Sequence, residues 1–287
     1  MSYADDALSL VQALADLGPL PRVRALHLPP PPAPDALRGE FAALELEDGT
    51  LGLSYVLLGD TWARLHGQVD RAALAGGDAL ALARCYAEAD PIRRTLGFAA
   101  LNALTRWLFD RAGFAPPASG DSLGALDPQP GETVGMVGYF TPLIPRITAR
   151  GARVLVVELR ADLAGERDGV RVTLDPAELA GCAKVLCTGT LLLNDTLDAT
   201  LAHCRNARAL AMVGPSVGCP PDPLFARGLT LLGGSWVSDS AAYVQALREG
   251  TSTGDCARKF SLAPQDYPGW PALLARAARQ LTPRHYA

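Results

Sequence analysis

Hydroxyl-bearing residues and glycines recur in this chain where a short apolar run gives way to a polar turn. Gly138-Tyr139-Phe140-Thr141, Thr188-Gly189-Thr190 and Gly214-Pro215-Ser216 each follow such a run, and Glu158 closes another. Loops of this kind offer backbone amides and hydroxyls without a basic cluster, a set suited to hydrogen-bonding oxygen-rich or anionic groups. Asn194 and Thr196 follow the second loop. Asn102 lies inside an apolar helical stretch, where an amide needs partners; bridging within the core is weighed against a ligand contact.

Ser216 stands in Gly214-Pro-Ser-Val-Gly218, the letters of a nucleophile elbow. An elbow needs a helix directly after its serine, then an acid and a histidine later in the chain. Here Cys219-Pro-Pro-Asp-Pro223 follows, and the only later histidine is His285, so the sequence assigns no catalytic residue.

The six cysteines, at 85, 182, 187, 204, 219 and 256, form no C-x-x-C pair, which argues against a zinc site or a disulfide framework. His203 and Cys204 are adjacent and cannot share a helix face. Cys219, just beyond the third loop, is the one weak candidate for metal.

The elements that must position these residues read as alternating strand and helix. Thr133-Val-Gly-Met-Val137 predicts a buried strand, Gly135 and Gly138 a tight turn, and Pro142 the first turn of a helix whose free amides attract an anion. Arg153-Val-Leu-Val-Val157 predicts the next strand, placing Glu158 where nucleotide-binding folds hold a ribose hydroxyl. The spacing Gly135-Met-Val-Gly138 departs from the dinucleotide fingerprint, so the turn also fits a fold that binds no nucleotide.

Further strands are expected at 184–187, 209–213 and 228–232, with Gly233-Gly234 as a turn and Ser238-Asp239 capping a helix over 241–249. This alternation implies a parallel sheet with crossover helices, whose ligands gather beyond the carboxyl ends of the strands. The loops then form one rim.

The first part reads as helix plus sheet: an amphipathic helix within 1–18, a strand over 23–28, a proline-rich link over 28–34, and a hairpin around Asp48-Gly49. Helical patterns follow over 72–110, divided at Asp90-Pro91, and 115–121 is a composition break. The expected organisation is an α+β domain over 1–118, an α/β domain over 119–260 and an extension over 261–287 whose Trp270, Leu273 and Leu274 have helical character and cover the first domain.

At 287 residues and 49% hydrophobic content the chain is ample for two cores. A net charge of −4 without a basic stripe argues against nucleic-acid binding. No apolar run reaches roughly 20 residues, and the first six residues lack a positive segment, so a cytoplasmic protein without membrane partners is expected. A homo-oligomer is left open.

Together, Val134-Gly-Met-Val-Gly-Tyr-Phe-Thr-Pro-Leu-Ile-Pro145, Thr188-Gly-Thr190 with Asn194-Asp-Thr-Leu197, Val213-Gly-Pro-Ser216 and Leu232-Gly-Gly-Ser-Trp-Val-Ser-Asp239 resemble the DUF364 family, labelled for heavy-metal chelation. The specific likeness covers about 120–250; residues 1–118 resemble the DUF4213 domain that precedes it. The resemblance implies an enolase-amino-terminal-like α+β domain on a Rossmann-like one, with a site in the cleft between them. Ser216 is followed here by Val217-Gly218-Cys219 rather than the family's Pro-Ser-Thr-Pro pattern, which costs a hydroxyl and adds a thiol. The segment from Glu158 to Asp162 and the long tail also depart from it.

Three functions are compatible with these residues. A small anionic or metal-chelating compound, including a metal chelate, binds in the cleft with Asn102 closing over it. Alternatively, S-adenosylmethionine or NAD is a cofactor and Glu158 holds its ribose. A non-catalytic scaffold is the third. Direct metal ligation would need clustered carboxylates, imidazoles or thiolates, whereas the rim offers hydroxyls and amides, so a metal would arrive inside a chelate.

Overall fold

The computed structural model describes residues 2–31, 40–120, 123 and 125–281. The turn at Asp48-Gly49 joins β2 (Phe41–Leu46) to β3 (Leu51–Tyr55), and β1 (Val23–His27) completes an antiparallel sheet ordered β1-β2-β3. Strand alternation sends Ala42, Leu44 and Leu46 into one hydrophobic cluster and Ala43, Leu51 and Leu53 into another. This small sheet is therefore buried on both faces.

One of those faces rests on the helix Pro91–Arg111. Asp90 caps it by accepting from the Ile92 amide, Pro91 occupies the first turn, and burial extends almost all round from Thr95 to Phe109. Contact with β3 is backbone to backbone: a Cβ at Gly52 would lie 2.1 Å from the Ala99 carbonyl oxygen. That approach sets Asn102 beside Leu53.

The second sheet contains β4 (Thr133–Val137), β5 (Arg153–Val157), β6 (Gly165–Arg167), β7 (Val170–Thr173), β8 (Lys184–Thr188), β9 (Ala209–Val213), β10 (Leu231–Val237) and β11 (Ala257–Leu262). Its order is β11-β10-β9-β8-β4-β5-β7-β6, parallel throughout except for the two outer strands. Counting only the six parallel strands in chain order, the sequence across the sheet is 3-2-1-4-5-6, the arrangement of the Rossmann fold. Helices Ile144–Thr148, Leu197–His203 and Asp222–Ala226 lie in three of the crossovers, whereas β5 reaches β7 through the short turn Ala161–Leu163 and β6.

One face of this sheet, with Leu155, Val185 and Met212, joins the hydrophobic cluster of the N-terminal helices; the other, with Met136, Val156 and Leu186, has its own. The segment after Phe114 runs beside β11, with Ala118 bridging Phe260 and Ser119 N–H donating to the Lys259 carbonyl. The last helix, Trp270–Leu281, buries Trp270, Leu273 and Ala277 in the first cluster, and Trp270 Nε1 donates to the Leu10 carbonyl at 3.0 Å. The tail thus lies on the N-terminal elements. Among the described residues no helix is long and apolar enough to cross a membrane.

Two expectations are corrected. Gly233-Gly234 is not a turn: β10 runs through it, because β11 pairs with it from Leu232 to Val237 and holds both glycines extended. The helix after β4 starts at Ile144 rather than Pro142, since turns through Thr141 and Leu143 intervene and Pro145 occupies its first turn. Residues 32–34 of the proline-rich link and Asp121 lie outside the described residues.

Candidate functional site

The strand order reverses between β4 and β8, and the loops leaving these strands meet there. Gly138 adopts φ +88°, and a Cβ on it would lie 3.1 Å from Thr188 Cγ2. Thr188 Oγ1 accepts from the Thr190 amide and hydroxyl at 3.3 and 3.2 Å. On the other side of that loop, a Cβ on Gly189 would meet Val217 Cγ2 at 2.6 Å. The loops after β4, β8 and β9 are therefore packed edge to edge, as a rim.

Glu158 extends this rim to β5. Its carboxylate accepts from the Tyr139 amide at 3.2 Å and the Leu159 amide at 2.8 Å, tying the turn after β4 to the end of β5. Tyr139, Thr141 and Pro215 are exposed, Phe140 is half-buried against the sheet, and Gly135 is buried within β4. Asn194 Oδ1 accepts from the Thr196 amide and hydroxyl, a local turn that leads into the helix Leu197–His203.

Asn102 reaches the rim from the helix Pro91–Arg111. Its Nδ2 donates to the Leu53 carbonyl at 2.7 Å and to the Ser216 carbonyl at 2.9 Å, so one amide joins β3 to the loop after β9. Bridging within the core is thus realised. Its Oδ1 is buried and has no partner. Beside it lies a pocket of about 40 Å³ whose lining includes Asn102, Arg106, Pro215, Ser235, Trp236 and Phe260.

Arg106 and Trp236 are absent from the sequence-based candidates. Arg106 lies four residues after Asn102 and hence on the same helix face, which was the available signal. Its guanidinium stacks 3.6 Å from the Trp236 ring centroid, donates from Nε to Asp110 at 2.8 Å and from Nη1 to the Val237 carbonyl at 3.0 Å. Burial lowers the Arg106 pKa and raises that of Asp110, each opposed by the charge of the other.

Valine at Gly138 or Gly189 would project toward the neighbouring loops. Those side chains would strike Thr188 and Val217 in neighbouring loops rather than enter an open cleft, so they would disturb the rim itself. The helix after β4, expected to offer free amides to an anion, has only five residues. Ser216 is buried in a turn after β9, and no helix follows it until Asp222. His285 lies outside the described residues.

The sequence matches the DUF364 family, described as "Putative heavy-metal chelation", over residues 121–264, half of the chain. The chain belongs to the DUF364 family. Residues 36–105 match DUF4213, which carries the same description. A curated relative, "Uncharacterized protein MJ0500" of Methanocaldococcus jannaschii, is 28% identical over 152 residues, 52% of this chain and 57% of that protein. The match thus spans little more than half of the relative's length. A DUF364 crystal structure of unknown function from Desulfitobacterium hafniense DCB-2 superposes with a TM-score of 0.64 at 20% identity, covering 91% of this chain and 99% of the other. A second, PH1506 from Pyrococcus horikoshii, gives 0.61 at 17% identity, covering 91% and 97%. These likenesses bear on fold.

The DUF364 description raises the question whether this chain's own side chains suit a metal. Among the described residues, no three His, Cys, Asp or Glu side chains gather in a group that could hold one. Cys219 is buried, and burial pushes its thiol up to about 12, so the neutral form prevails. His27 is held between Glu45 and Arg248, and His66 stacks on Trp62. The described residues do not fit a resident metal.

Proposed function

We propose that this DUF364 chain binds a small, oxygen-rich anionic or metal-chelating ligand where the loop after β9 and strand β10 meet the helix Pro91–Arg111. The observation that carries this reading is Asn102 Oδ1, a buried acceptor without a partner beside a pocket. A buried polar atom left unpaired is costly, and such atoms are normally satisfied by water or ligand. The position of the pocket, next to the carboxyl ends of a Rossmann-ordered sheet, supports the same reading. A metal, on this view, is cargo carried by the ligand's own donors.

A nucleotide cofactor is favoured by a different observation. Tyr139, Leu159 and Leu174, at 39, 82 and 48% exposure, follow β4, β5 and β7 and leave apolar surface beside Glu158. An adenine ring would cover such surface.

The unfolding midpoint of the full chain, measured with nucleotides, S-adenosylmethionine, NAD, free divalent metals and ferric or nickel citrate, separates these readings. A ligand that binds the native state at 100 times its dissociation constant adds about 2.7 kcal/mol of stability. A rise with citrate or its chelates supports the proposal, and a rise confined to nucleotides overturns it.

A further inference from the structure

The pocket beside Asn102 presents two different recognition groups one helical turn apart. Asn102 Oδ1 is an acceptor and therefore selects a donor on the ligand. Arg106, four residues on and hence on the same helix face, lines the same pocket, and its Nη2 takes no partner among the described residues.

The charge around Trp236 is unbalanced. Arg106 stacks on the ring, and Arg258, paired with Trp236 across β10 and β11, lies 5.6 Å from its centroid. Arg258 Nη2 donates to the Pro116 carbonyl at 2.8 Å, while its Nη1 is buried without a partner. Against these two guanidinium groups stands the Asp110 carboxylate, already bound to Arg106. An incoming anion would be stabilised here, and an ammonium group would be repelled.

We infer that this pocket is the subsite for a 2-hydroxycarboxylate head group, with its hydroxyl donating to Asn102 Oδ1 and its carboxylate facing the Arg106 guanidinium. The inference rests on the ligand-binding reading above and adds the chemical class. A 2-hydroxycarboxylate carries both complementary groups, a donor for the amide oxygen and an anion for the guanidinium. The rest of the ligand would extend past Pro215, which is exposed. The same two oxygens chelate metals, but a hydroxyl that has lost its proton to a metal cannot donate to Asn102. The subsite therefore takes the group with its hydroxyl protonated.

The test is a titration of the full chain with glycolate, methoxyacetate, acetate and glycine, followed through the Asn102 side-chain amide in nitrogen-correlated NMR spectra. Methoxyacetate and acetate lack the donor, and glycine replaces it with an ammonium. Glycolate is expected to bind about tenfold or more tightly than the other three, as loss of one buried hydrogen bond implies. Arg106→Met should weaken glycolate by a similar factor. Equal affinities for the four probes, or no response of Asn102 to any, overturns the inference, and this comparison needs only the wild-type chain. If citrate still raises the unfolding midpoint in that case, the ligand-binding proposal stands and the subsite assignment alone falls.

Discussion

Asn102 shows how one side chain serves packing and recognition together. Its two amide hydrogens satisfy carbonyls on β3 and on the loop after β9, which no apolar residue of the same size could do. Asn102→Leu is expected to lower stability by about 2–4 kcal/mol, since two buried carbonyls lose their donor. Urea denaturation of the variant measures this, and a loss below about 0.5 kcal/mol would deny the bridging role. The asparagine was legible as a candidate because a polar amide interrupts an apolar helical pattern. Which of its two atoms is spare was not, because that depends on carbonyls 49 and 114 residues away.

Glu132 acts at the opposite end of the sheet. It accepts from Lys184 Nζ at 2.7 Å, from the Gln129 amide at 2.9 Å and from Arg208, and these bonds hold its carboxyl down at about 2. A carboxylate lowered in the fold stabilises it above the unfolded pKa of about 4.3, and that contribution fades as pH falls toward 2. Glu132→Gln should therefore destabilise the protein at neutral pH and flatten the dependence of the unfolding midpoint on pH between those values. Midpoints collected across that range for both chains check the sign.

At the scale of elements, the decisive contact is β3 against the helix Pro91–Arg111. Any side chain at Gly52 would meet the backbone of Ala99 and Ala103 at 2.1–2.2 Å, and a backbone cannot swing aside as a side chain does. Gly52→Ala must push strand and helix apart, at a cost of about 2–4 kcal/mol from overpacking and lost contacts. It should also break the Asn102–Leu53 bond, so a native midpoint with an unshifted Asn102 amide signal would contradict this account. The hairpin at Asp48-Gly49, the helix division at Asp90-Pro91 and the apolar strands of the large sheet were all readable, because each depends on local turn chemistry or an uninterrupted apolar run. β11 was missed and β10 cut short for one shared reason: glycines in β10 signal a turn locally, and only pairing with a distant strand keeps them extended.

Across the whole molecule, the last helix, Trp270–Leu281, holds the first, Tyr3–Gln12. Trp270 is buried, donates to the Leu10 carbonyl, and through its amide binds Asp222, which also accepts from the Tyr267 hydroxyl at 2.6 Å. Trp270→Ala is expected to cost about 3–5 kcal/mol, as for other large aromatic truncations in cores. Trp270→Phe, which keeps most of the apolar area and loses the indole bond, should cost about 1–2 kcal/mol. Comparing the two by denaturant melts separates packing from hydrogen bonding, and equal losses would mean that the bond alone matters.

Sequence by itself determined the α/β class, most strands of the large sheet, the rim loops at their carboxyl ends and, through its motifs, the likeness to DUF364. These follow from apolar periodicity and turn residues, which act over a few positions. Tertiary structure alone decided that Asn102, Arg106 and Trp236 share a pocket, that Glu158 spends its carboxylate on the turn after β4, and that β11 closes the sheet edge. Each of these depends on which distant backbone a side chain or strand meets, and such pairings are fixed by packing rather than by local spacing.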